Sequence, residues 1–283
     1  MKWRLAAMAV VLLLAGAYLA ARRYALVQAE HGLMELHPKG AATPATYGVA
    51  FQEVTIPSGG RRLDAYLVRA PAACDRPPAV LIFHGRGETV SDWARAQAFL
   101  SGVCISSLVF DYSGHGSSSP PATIANLNED SGSAYRVFAA LFPRPTRRCL
   151  LAHSMGNAPM LVAYPRMAPA PDCVVAANAF TSVAGIGAAE GAPRALLFLV
   201  SGLWDNTAAI RAVRAPLLVI HSDADRVVPP AMGASLAAAA PAGAMRVTVH
   251  CFGHNAVYEQ PEAGWWTPVT AFVRPLAGAR PSH

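Results

Sequence analysis

From residue 79 onward, short apolar runs of strand length alternate along the chain with stretches of helical periodicity. The runs are almost continuously apolar, a pattern typical of parallel strands that are buried on both faces of a sheet. Strands that alternate with helices are joined by right-handed crossovers into a three-layer α/β sandwich. The predicted strands are 79–83, 105–110, 149–152, 173–177, 216–220 and 245–251, and the predicted helices are 92–100, 129–141, 155–167, 231–240 and 268–276.

Two earlier segments have a different pattern, in which apolar and polar residues alternate with a period of two. Phe51–Ile56 and Leu63–Val68 flank the turn sequence Ser58-Gly59-Gly60. This arrangement is typical of two half-exposed strands joined as an antiparallel hairpin. The fold class expected for the chain is therefore α/β, with a mostly parallel sheet and an N-terminal antiparallel hairpin.

The N-terminus carries an apolar run from Leu5 to Ala21, in which 16 of 17 residues are apolar. A helix of this length spans about 25 Å, near the short limit for crossing a bilayer. One interpretation is an uncleaved membrane anchor, because Arg22-Arg23 resembles the flank that follows a membrane span. The other is a signal peptide cleaved near Ala15-Gly16-Ala17, since small residues mark such sites.

Three positive charges precede this run (the terminal amine, Lys2 and Arg4) and two follow it. This difference weakly favours an N-terminus inside the cell and an exported domain. We expect residues 1–24 to be a signal anchor or signal peptide, 25–46 a tether, and 47–283 the folded domain. A small lid region is expected near 183–212. The protein is then anchored by a single pass with its domain exported, or secreted or periplasmic if the run is cleaved.

Composition excludes several functions. Charged residues make up 14% of the chain, against roughly 25% in an average soluble domain. The net charge of +6 comes from basic residues spread thinly along the sequence, so there is no basic stripe of the kind that binds nucleic acid. The nine histidines show no paired metal-ligand spacing and no phosphate-binding loop occurs. We expect no metal, no cofactor and no nucleic-acid partner.

The five cysteines are odd in number, so at least one is unpaired. Cys104, Cys149 and Cys173 each open a predicted strand and could lie near one end of a common sheet. A disulfide is permitted in an exported domain. We nevertheless favour the interpretation that these residues are buried small apolar side chains.

Polar residues follow nearly every predicted strand, at the sheet edge where open α/β sheets bind their ligands. The sharpest motif is Ala152-His153-Ser154-Met155-Gly156, which follows a strand and opens a helix. A turn of this kind exposes the serine hydroxyl and directs backbone N–H groups at a reacting oxygen. Taken alone, a serine in such a sequence is usually a helix N-cap.

An acid and a histidine follow Ser154 at the ends of two later strands. Asp225 comes after the strand at 216–220, with Asp223 as a competing acid, and His254 follows the last strand. We expect His250 to be structural, because it falls within that last apolar run. Three polar residues in this order at strand ends are a more specific signal than any one of them.

These motifs resemble those of the α/β-hydrolase superfamily, specifically its near-lidless esterases and thioesterases with a single membrane anchor. The resemblance covers Tyr47 to Leu276 and departs at Ala152, which occupies the first glycine position of the family's G-x-S-x-G. It implies a triad of Ser154, Asp225 and His254. It also implies an oxyanion hole formed by the backbone N–H groups of Met155 and of Arg86, which follows His84-Gly85.

The implied activity is two-step acyl transfer from a small carboxylic ester or thioester to water. Alternatives are a serine peptidase or an acyltransferase of the same fold, or a membrane-tethered binding module without activity. The guanidinium of Arg86 either favours anionic esters at the mouth of the site or is a solvated loop side chain. The membrane, reached through the N-terminal segment, is the other expected partner.

Overall fold

A computed structural model of the chain describes residues 2–274. Its centre is one eight-stranded sheet of order β1-β2-β4-β3-β5-β6-β7-β8. β1 and β2 form the expected hairpin, β2 also runs antiparallel to β4, and the remaining neighbours are parallel. The strands are β1 Gln52–Ser58, β2 Arg61–Val68, β3 Ala79–Phe83, β4 Ser106–Phe110, β5 Arg148–His153, β6 Cys173–Ala177, β7 Leu217–Ser222 and β8 Met245–Val249.

Helices cover both faces of the sheet, which confirms the three-layer α/β sandwich. Side chains of α3, α4 and α7 pack with alternate strand residues into one core, and those of α2, α8 and α9 pack with the intervening strand residues into a second core. The helices are α1 Lys2–Leu33, α2 Ala94–Gly102, α3 Ile124–Leu141, α4 Asn157–Ala163, α5 Val183–Ala189, α6 Asn206–Ala209, α7 Pro230–Ala239, α8 Ala256–Glu259 and α9 Thr267–Val273.

Three predicted helices differ from those observed. The helix expected at 129–141 begins five residues earlier, at Ile124. The stretch 155–167 is divided into a 3₁₀ turn at Ser154–Gly156, α4, and a second 3₁₀ turn at Tyr164–Arg166. Pro165 lies inside that second turn and cannot donate the backbone hydrogen bond that an α-helix requires. The last helix ends at Val273, and its predicted end, Leu276, lies outside the described residues.

α1 is one continuous helix that extends well beyond the apolar run. It is the one described helix long and apolar enough to cross a membrane, with a mean hydropathy of 2.0 in its most apolar window and none of that window buried. It continues through residues 25–33, where we expected an irregular tether. Ala29 and Leu33, one helical turn apart, pack against the core of the domain, and this contact explains why the helix persists.

The cysteines correct the expectation of unpaired apolar side chains. Cys149 and Cys173 are direct neighbours in β5 and β6 and form a disulfide. Cys104 bridges to Cys74 in the loop before β3, while Cys251 is free and exposed. The register of two parallel strands brings Cys149 and Cys173 to a Cα separation of 4.6 Å, which lies within disulfide range.

The region expected to form a lid contains α5, a 3₁₀ segment at Arg194–Val200, and α6. A β-bridge between Ser182 and Asp205 joins the two ends of this excursion. The 3₁₀ segment has an exposed apolar face, with Leu196 and Phe198 each more than half exposed. It lies beside α1, so the lid region and the N-terminal helix share a surface.

Candidate active site

Ser154 sits on a sharp turn between β5 and α4. Its φ of +50° lies in the left-handed region that residues with a side chain rarely adopt. Gly156, two residues on, packs so closely on β3 that a Cβ there would collide with the carbonyl oxygens of Phe83 and His84. Ala152 is fully buried within β5. Its methyl group is accommodated in the core, so the departure from glycine leaves the turn intact.

The structure brings Ser154, His254 and Asp225 together as one chain of hydrogen bonds. Ser154 Oγ lies 2.9 Å from His254 Nε2, and His254 Nδ1 lies 2.6 Å from Asp225 Oδ2. Because an ionised carboxylate only accepts hydrogen bonds, Nδ1 carries the ring proton and Nε2 accepts from the hydroxyl. The arrangement can therefore remove the proton of Ser154.

Asp225 is held rigidly and stays ionised. The backbone N–H groups of Val227 and Val228 donate to its Oδ1 at 2.8 and 2.9 Å. Burial by itself raises the pKa of this carboxyl, but hydrogen bonds from His221 and His254 outweigh it and hold the pKa well below its ordinary value. The carboxylate is thus a fixed negative charge behind the imidazole.

His254 stays neutral at neutral pH. Its burial lowers the pKa of the ring more than the hydrogen bond to Asp225 raises it. The backbone carbonyl oxygen of His254 accepts hydrogen bonds from Asn178 Nδ2 at 2.9 Å and His153 Nε2 at 3.0 Å. These two bonds fix the loop that carries the imidazole. A neutral, positioned imidazole can act as a general base.

The competing acid, Asp223, belongs to a different pair. Its Oδ2 lies 2.6 Å from Nδ1 of His250, and its Oδ1 accepts from the backbone N–H of Cys251. β8 ends at Val249, so His250 lies just outside the strand in which we expected it. Asp223 and His250 are both exposed, and together they brace the surface of the loop that leads to His254.

Arg86 and Met155 are the residues whose backbone N–H groups we expected to form the oxyanion hole. Both residues line one cavity with Ser154 and His254. Within residues 2–274, neither N–H donates a hydrogen bond to a protein acceptor. Free N–H groups beside a serine hydroxyl are the arrangement that can receive an oxyanion.

A buried ion pair, Glu88 with His153, supports these groups and was missed by sequence reasoning. Glu88 Oε1 lies 2.8 Å from His153 Nδ1, while its Oε2 accepts from the N–H of Gly85 and from Trp93 Nε1. Both ring nitrogens of His153 face acceptors, namely Glu88 and the carbonyl of His254, so both must carry protons. The ring is therefore a cation paired with an ionised carboxylate.

The pKa shifts of this pair agree with that assignment. Burial lowers the pKa of His153 by itself, but the charge of Glu88 raises it overall. Burial raises the pKa of Glu88, and the charge of His153 lowers it overall. The pair connects the loop at Gly85 to the loop at His254. No sequence signal revealed it, because Glu88 occurs in a polar turn where an exposed carboxylate is the default expectation.

The side chain of Arg86 is neither directed at the cavity as a free cation nor simply solvated. Its guanidinium donates to the carbonyl oxygen of Gly32 at 3.1 Å and lies 3.2 Å from Glu35 Oε2. It therefore binds the C-terminal end of α1, where a cation is favoured by the helix dipole. The charge available to attract an anionic ester at this position is largely neutralised.

The cavity above Ser154 has a volume of about 730 Å³, which is within the range of small-molecule sites. One wall comes from α1 and the segment after it, another from the lid region, and the floor from the loops at Ser154, Arg86 and His254. Among the described residues, no group of three or more His, Cys, Asp or Glu side chains is arranged to hold a metal ion.

Comparison with known proteins agrees with this fold. Residues 79–203 match the alpha/beta hydrolase family. Two strains of Mycobacterium tuberculosis encode relatives described as uncharacterized proteins, 30% identical over 179 residues that make up 63% of this chain and 63% of each relative. The chain thus aligns with less than two thirds of the length of these curated relatives.

Solved structures with the same fold include several hydrolases. An esterase of Pyrococcus furiosus superposes with a TM-score of 0.63 at 17% identity, over 84% of this chain and 98% of that one. A predicted CIB-like hydrolase of Thermoplasma acidophilum gives 0.59 at 21% identity, over 81% and 100%. The enol-lactonase of Burkholderia xenovorans gives 0.59 at 19%, over 78% and 100%. The sheet order, the matched segment and these superpositions together show that the chain has the α/β-hydrolase fold.

Proposed function

We propose that the protein is a serine hydrolase that cleaves carboxylic esters or thioesters through an acyl-enzyme intermediate. The observation that carries the proposal is the unbroken hydrogen-bond chain from Asp225 through His254 to Ser154 at the floor of the cavity. The esterase and lactonase activities named for two structural neighbours agree with it. Their identity to this chain is too low to carry more than the fold.

In the first half-reaction, His254 Nε2 takes the hydroxyl proton of Ser154 as Oγ attacks the carbonyl carbon of the ester. The carbonyl oxygen becomes an oxyanion, which the N–H groups of Arg86 and Met155 stabilise. The tetrahedral intermediate then collapses and breaks the bond to the leaving oxygen or sulfur. His254 returns its proton to that leaving group, and the acyl group remains on Ser154.

In the second half-reaction, water enters the place left by the alcohol or thiol. His254 takes a proton from this water, the resulting hydroxide attacks the acyl carbon, and the bond to Oγ breaks as the proton returns to Ser154. The products are the free acid and the original hydroxyl. Asp225 keeps the imidazole in the required tautomer in both steps and stabilises its transient positive charge.

An acyltransferase would share the first half-reaction and differ in the acceptor, so product analysis in the presence of an alcohol separates the two. A peptidase would cleave amide substrates with the same serine. A binding module without activity would leave Ser154 unreactive. We favour hydrolysis because the cavity opens to solvent and an acyl-enzyme within it is accessible to water.

We further propose that α1 is an uncleaved anchor and that the domain lies on the exported side of the membrane. Two features support this location. The helix continues through the candidate cleavage site at Ala15-Gly16-Ala17 and packs onto the domain. The two disulfides are of a kind that persists in oxidising compartments and is rare in the cytosol.

The test is labelling of membrane and soluble fractions with a fluorophosphonate probe, which reacts with an activated serine. The native chain should be labelled in the membrane fraction, and Ser154→Ala should lose the label completely. Ser235→Ala is the matched control, because Ser235 is an exposed helix residue of α7 and its loss should leave labelling unchanged. Absence of labelling in the folded native protein would overturn the proposal.

A further inference from the structure

The cavity above Ser154 is built partly from the helix that carries the apolar run. Ala25, Gln28, Ala29 and Gly32 all line it, and their spacing of three and four residues places them on one face of α1. Three of these four residues are small, so the face leaves a groove beside the lid region. Since Ala25 comes one helical turn after the end of the apolar run at Ala21, the groove begins next to the membrane-directed part of the helix.

The 3₁₀ segment Arg194–Val200 connects the cavity to that apolar part. Phe198 stacks on Tyr18 with parallel rings and centroids 6.0 Å apart. Tyr18 belongs to the apolar run, so Phe198 lies beside the last turn of that run on α1. Leu197 and Val200 of the same segment line the cavity. One short segment therefore contacts the anchor on one side and the substrate cavity on the other.

An exposed apolar surface surrounds this end of the cavity. Leu196 is 55% exposed, Phe198 54% and Val227 51%, and both Leu196 and Val227 also line the cavity. Exposed apolar side chains grouped at the mouth of a cavity are typical of a surface that contacts a ligand, a protein or a membrane. The phase that is necessarily present beside an anchor helix is the bilayer.

Basic residues flank each part of this surface. Arg22 and Arg23 follow the apolar run, Arg194 opens the 3₁₀ segment and Arg226 precedes Val227. Arg23, Arg194 and Arg226 are exposed. Arginines beside a membrane can extend their guanidinium groups to lipid phosphates while the aliphatic part of each side chain covers apolar surface. Their charge fits a phospholipid surface better than it fits an apolar protein partner.

From these observations we infer that the cavity takes the long acyl chain of a glycerolipid ester, which enters directly from the bilayer that holds α1. The chain lies in the groove between α1 and the 3₁₀ segment, and the ester carbonyl reaches Ser154 at the far end. This inference rests on the proposed hydrolase activity and on retention of α1. It adds the class of substrate and the route by which the substrate arrives.

The experiment uses the full-length protein reconstituted into phosphatidylcholine vesicles. A fluorogenic palmitoyl glycerolipid is supplied either in the same vesicles or in separate vesicles that hold no protein, and p-nitrophenyl butyrate dissolved in the buffer is the reference ester. We expect cleavage of the lipid in the same vesicles and little or none in the separate ones. Equal cleavage in both would overturn the inference, because it would mean entry through water.

The variant Phe198→Ser tests the contact between the lid region and the membrane. It should lower the ratio of lipid to butyrate cleavage about tenfold or more, as expected when a large apolar side chain no longer reaches the bilayer. Met245→Ser is the matched control, since Met245 is equally exposed but lies at the opposite end of the parallel strands. An unchanged ratio in Phe198→Ser would contradict the inference.

The variant Ala25→Trp tests the groove itself. The indole would fill the groove next to the membrane and should lower the ratio of palmitoyl to butyryl ester cleavage. Val27→Trp is its control, because Val27 is exposed and does not line the cavity. If the two variants gave the same ratio, the acyl chain would not lie along this face of α1.

Failure of the inference and failure of the proposed function give different results. If butyrate is cleaved and the lipid is not, the hydrolase activity stands and the substrate class is wrong. If a palmitoyl-cysteine peptide in the same vesicles is cleaved instead of the lipid, the substrate is an S-acylated chain and the inference is overturned. If neither ester is cleaved and no fluorophosphonate label appears, the proposed function fails as well.

Discussion

Asp225 Oδ2 lies 2.6 Å from His254 Nδ1, and two residues earlier Asp223 Oδ2 lies 2.6 Å from His250 Nδ1. The two pairs are the same in chemistry and length, but only the first is buried and continues to a serine. The same substitution is therefore expected to have a large effect on catalysis at Asp225 and a small one at Asp223.

Replacing Asp225 with Asn should lower kcat for ester hydrolysis by about 10³–10⁴-fold, because an amide no longer holds the imidazole in the tautomer that accepts the serine proton. The matched variant Asp223→Asn should change kcat less than about threefold, since it removes only an exposed pair. Steady-state kinetics on p-nitrophenyl butyrate measure both. Equal losses in the two variants would show that Asp225 has no special role.

The pH profile of kcat/KM should report the pKa of His254. Burial lowers that pKa below the ordinary value of 6.5 in spite of the hydrogen bond that the ring donates to Asp225. The base is the unprotonated ring, so activity should rise with pH, pass its midpoint below 6.5 and be level at neutral pH. In Asp225→Asn the residual activity should have a midpoint at still lower pH, because the contribution that raises the pKa is lost. A midpoint above 6.5 in the native enzyme would contradict this assignment.

Breaking the Glu88–His153 pair should destabilise the domain. Glu88→Gln leaves the His153 ring without its counter-charge and is expected to lower the free energy of unfolding by about 3–5 kcal/mol. Glu262→Gln is the control, because Glu262 forms an exposed pair with Arg95 and its loss should cost about 1 kcal/mol or less. Chemical denaturation followed by tryptophan fluorescence gives both values. Similar stabilities for the two variants would mean that the buried pair contributes no more than a surface one.

Thiol alkylation should distinguish Cys251 from the other four cysteines. Protein purified from the membranes of the cells that make it, denatured and left unreduced, should take up one alkyl group, at Cys251. After reduction it should take up five. Mass spectrometry of the peptides gives the position of each. Uptake of five groups without reduction would mean that the domain resides in a reducing compartment and would contradict the proposed export.

Much of the sheet could be predicted because each buried strand is a continuous apolar run with a clear end. The strands at 79–83 and 173–177 have the predicted bounds, and the hairpin turn lies at Gly59 and Gly60. Since parallel strands place their carboxyl ends at one edge, the order of Ser154, Asp225 and His254 also predicted that these residues would meet. The hydrogen bonds from Ser154 to His254 and from His254 to Asp225 join them in the structure.

The rest depends on contacts between distant segments that leave no local pattern. Cys149 and Cys173 pair because β5 and β6 are neighbours in register, and register is not encoded by either strand alone. Residues 25–33 have no amphipathic period strong enough to predict a helix. Their packing on the domain and the hydrogen bond from Arg86 to the carbonyl oxygen of Gly32 stabilise the helix there. Glu88 is buried in an ion pair with His153, which lies 65 residues away in the sequence.

The most direct test of the central claim is to trap the acyl group on Ser154. Native protein mixed with p-nitrophenyl butyrate and quenched in acid within the first turnover should carry a butyryl group on the peptide that contains Ser154, as read by mass spectrometry, together with a burst of p-nitrophenol. Ser154→Ala should show neither. Steady hydrolysis by the native protein without an adduct, retained at the same rate in Ser154→Ala, would show that the reaction does not proceed through this serine.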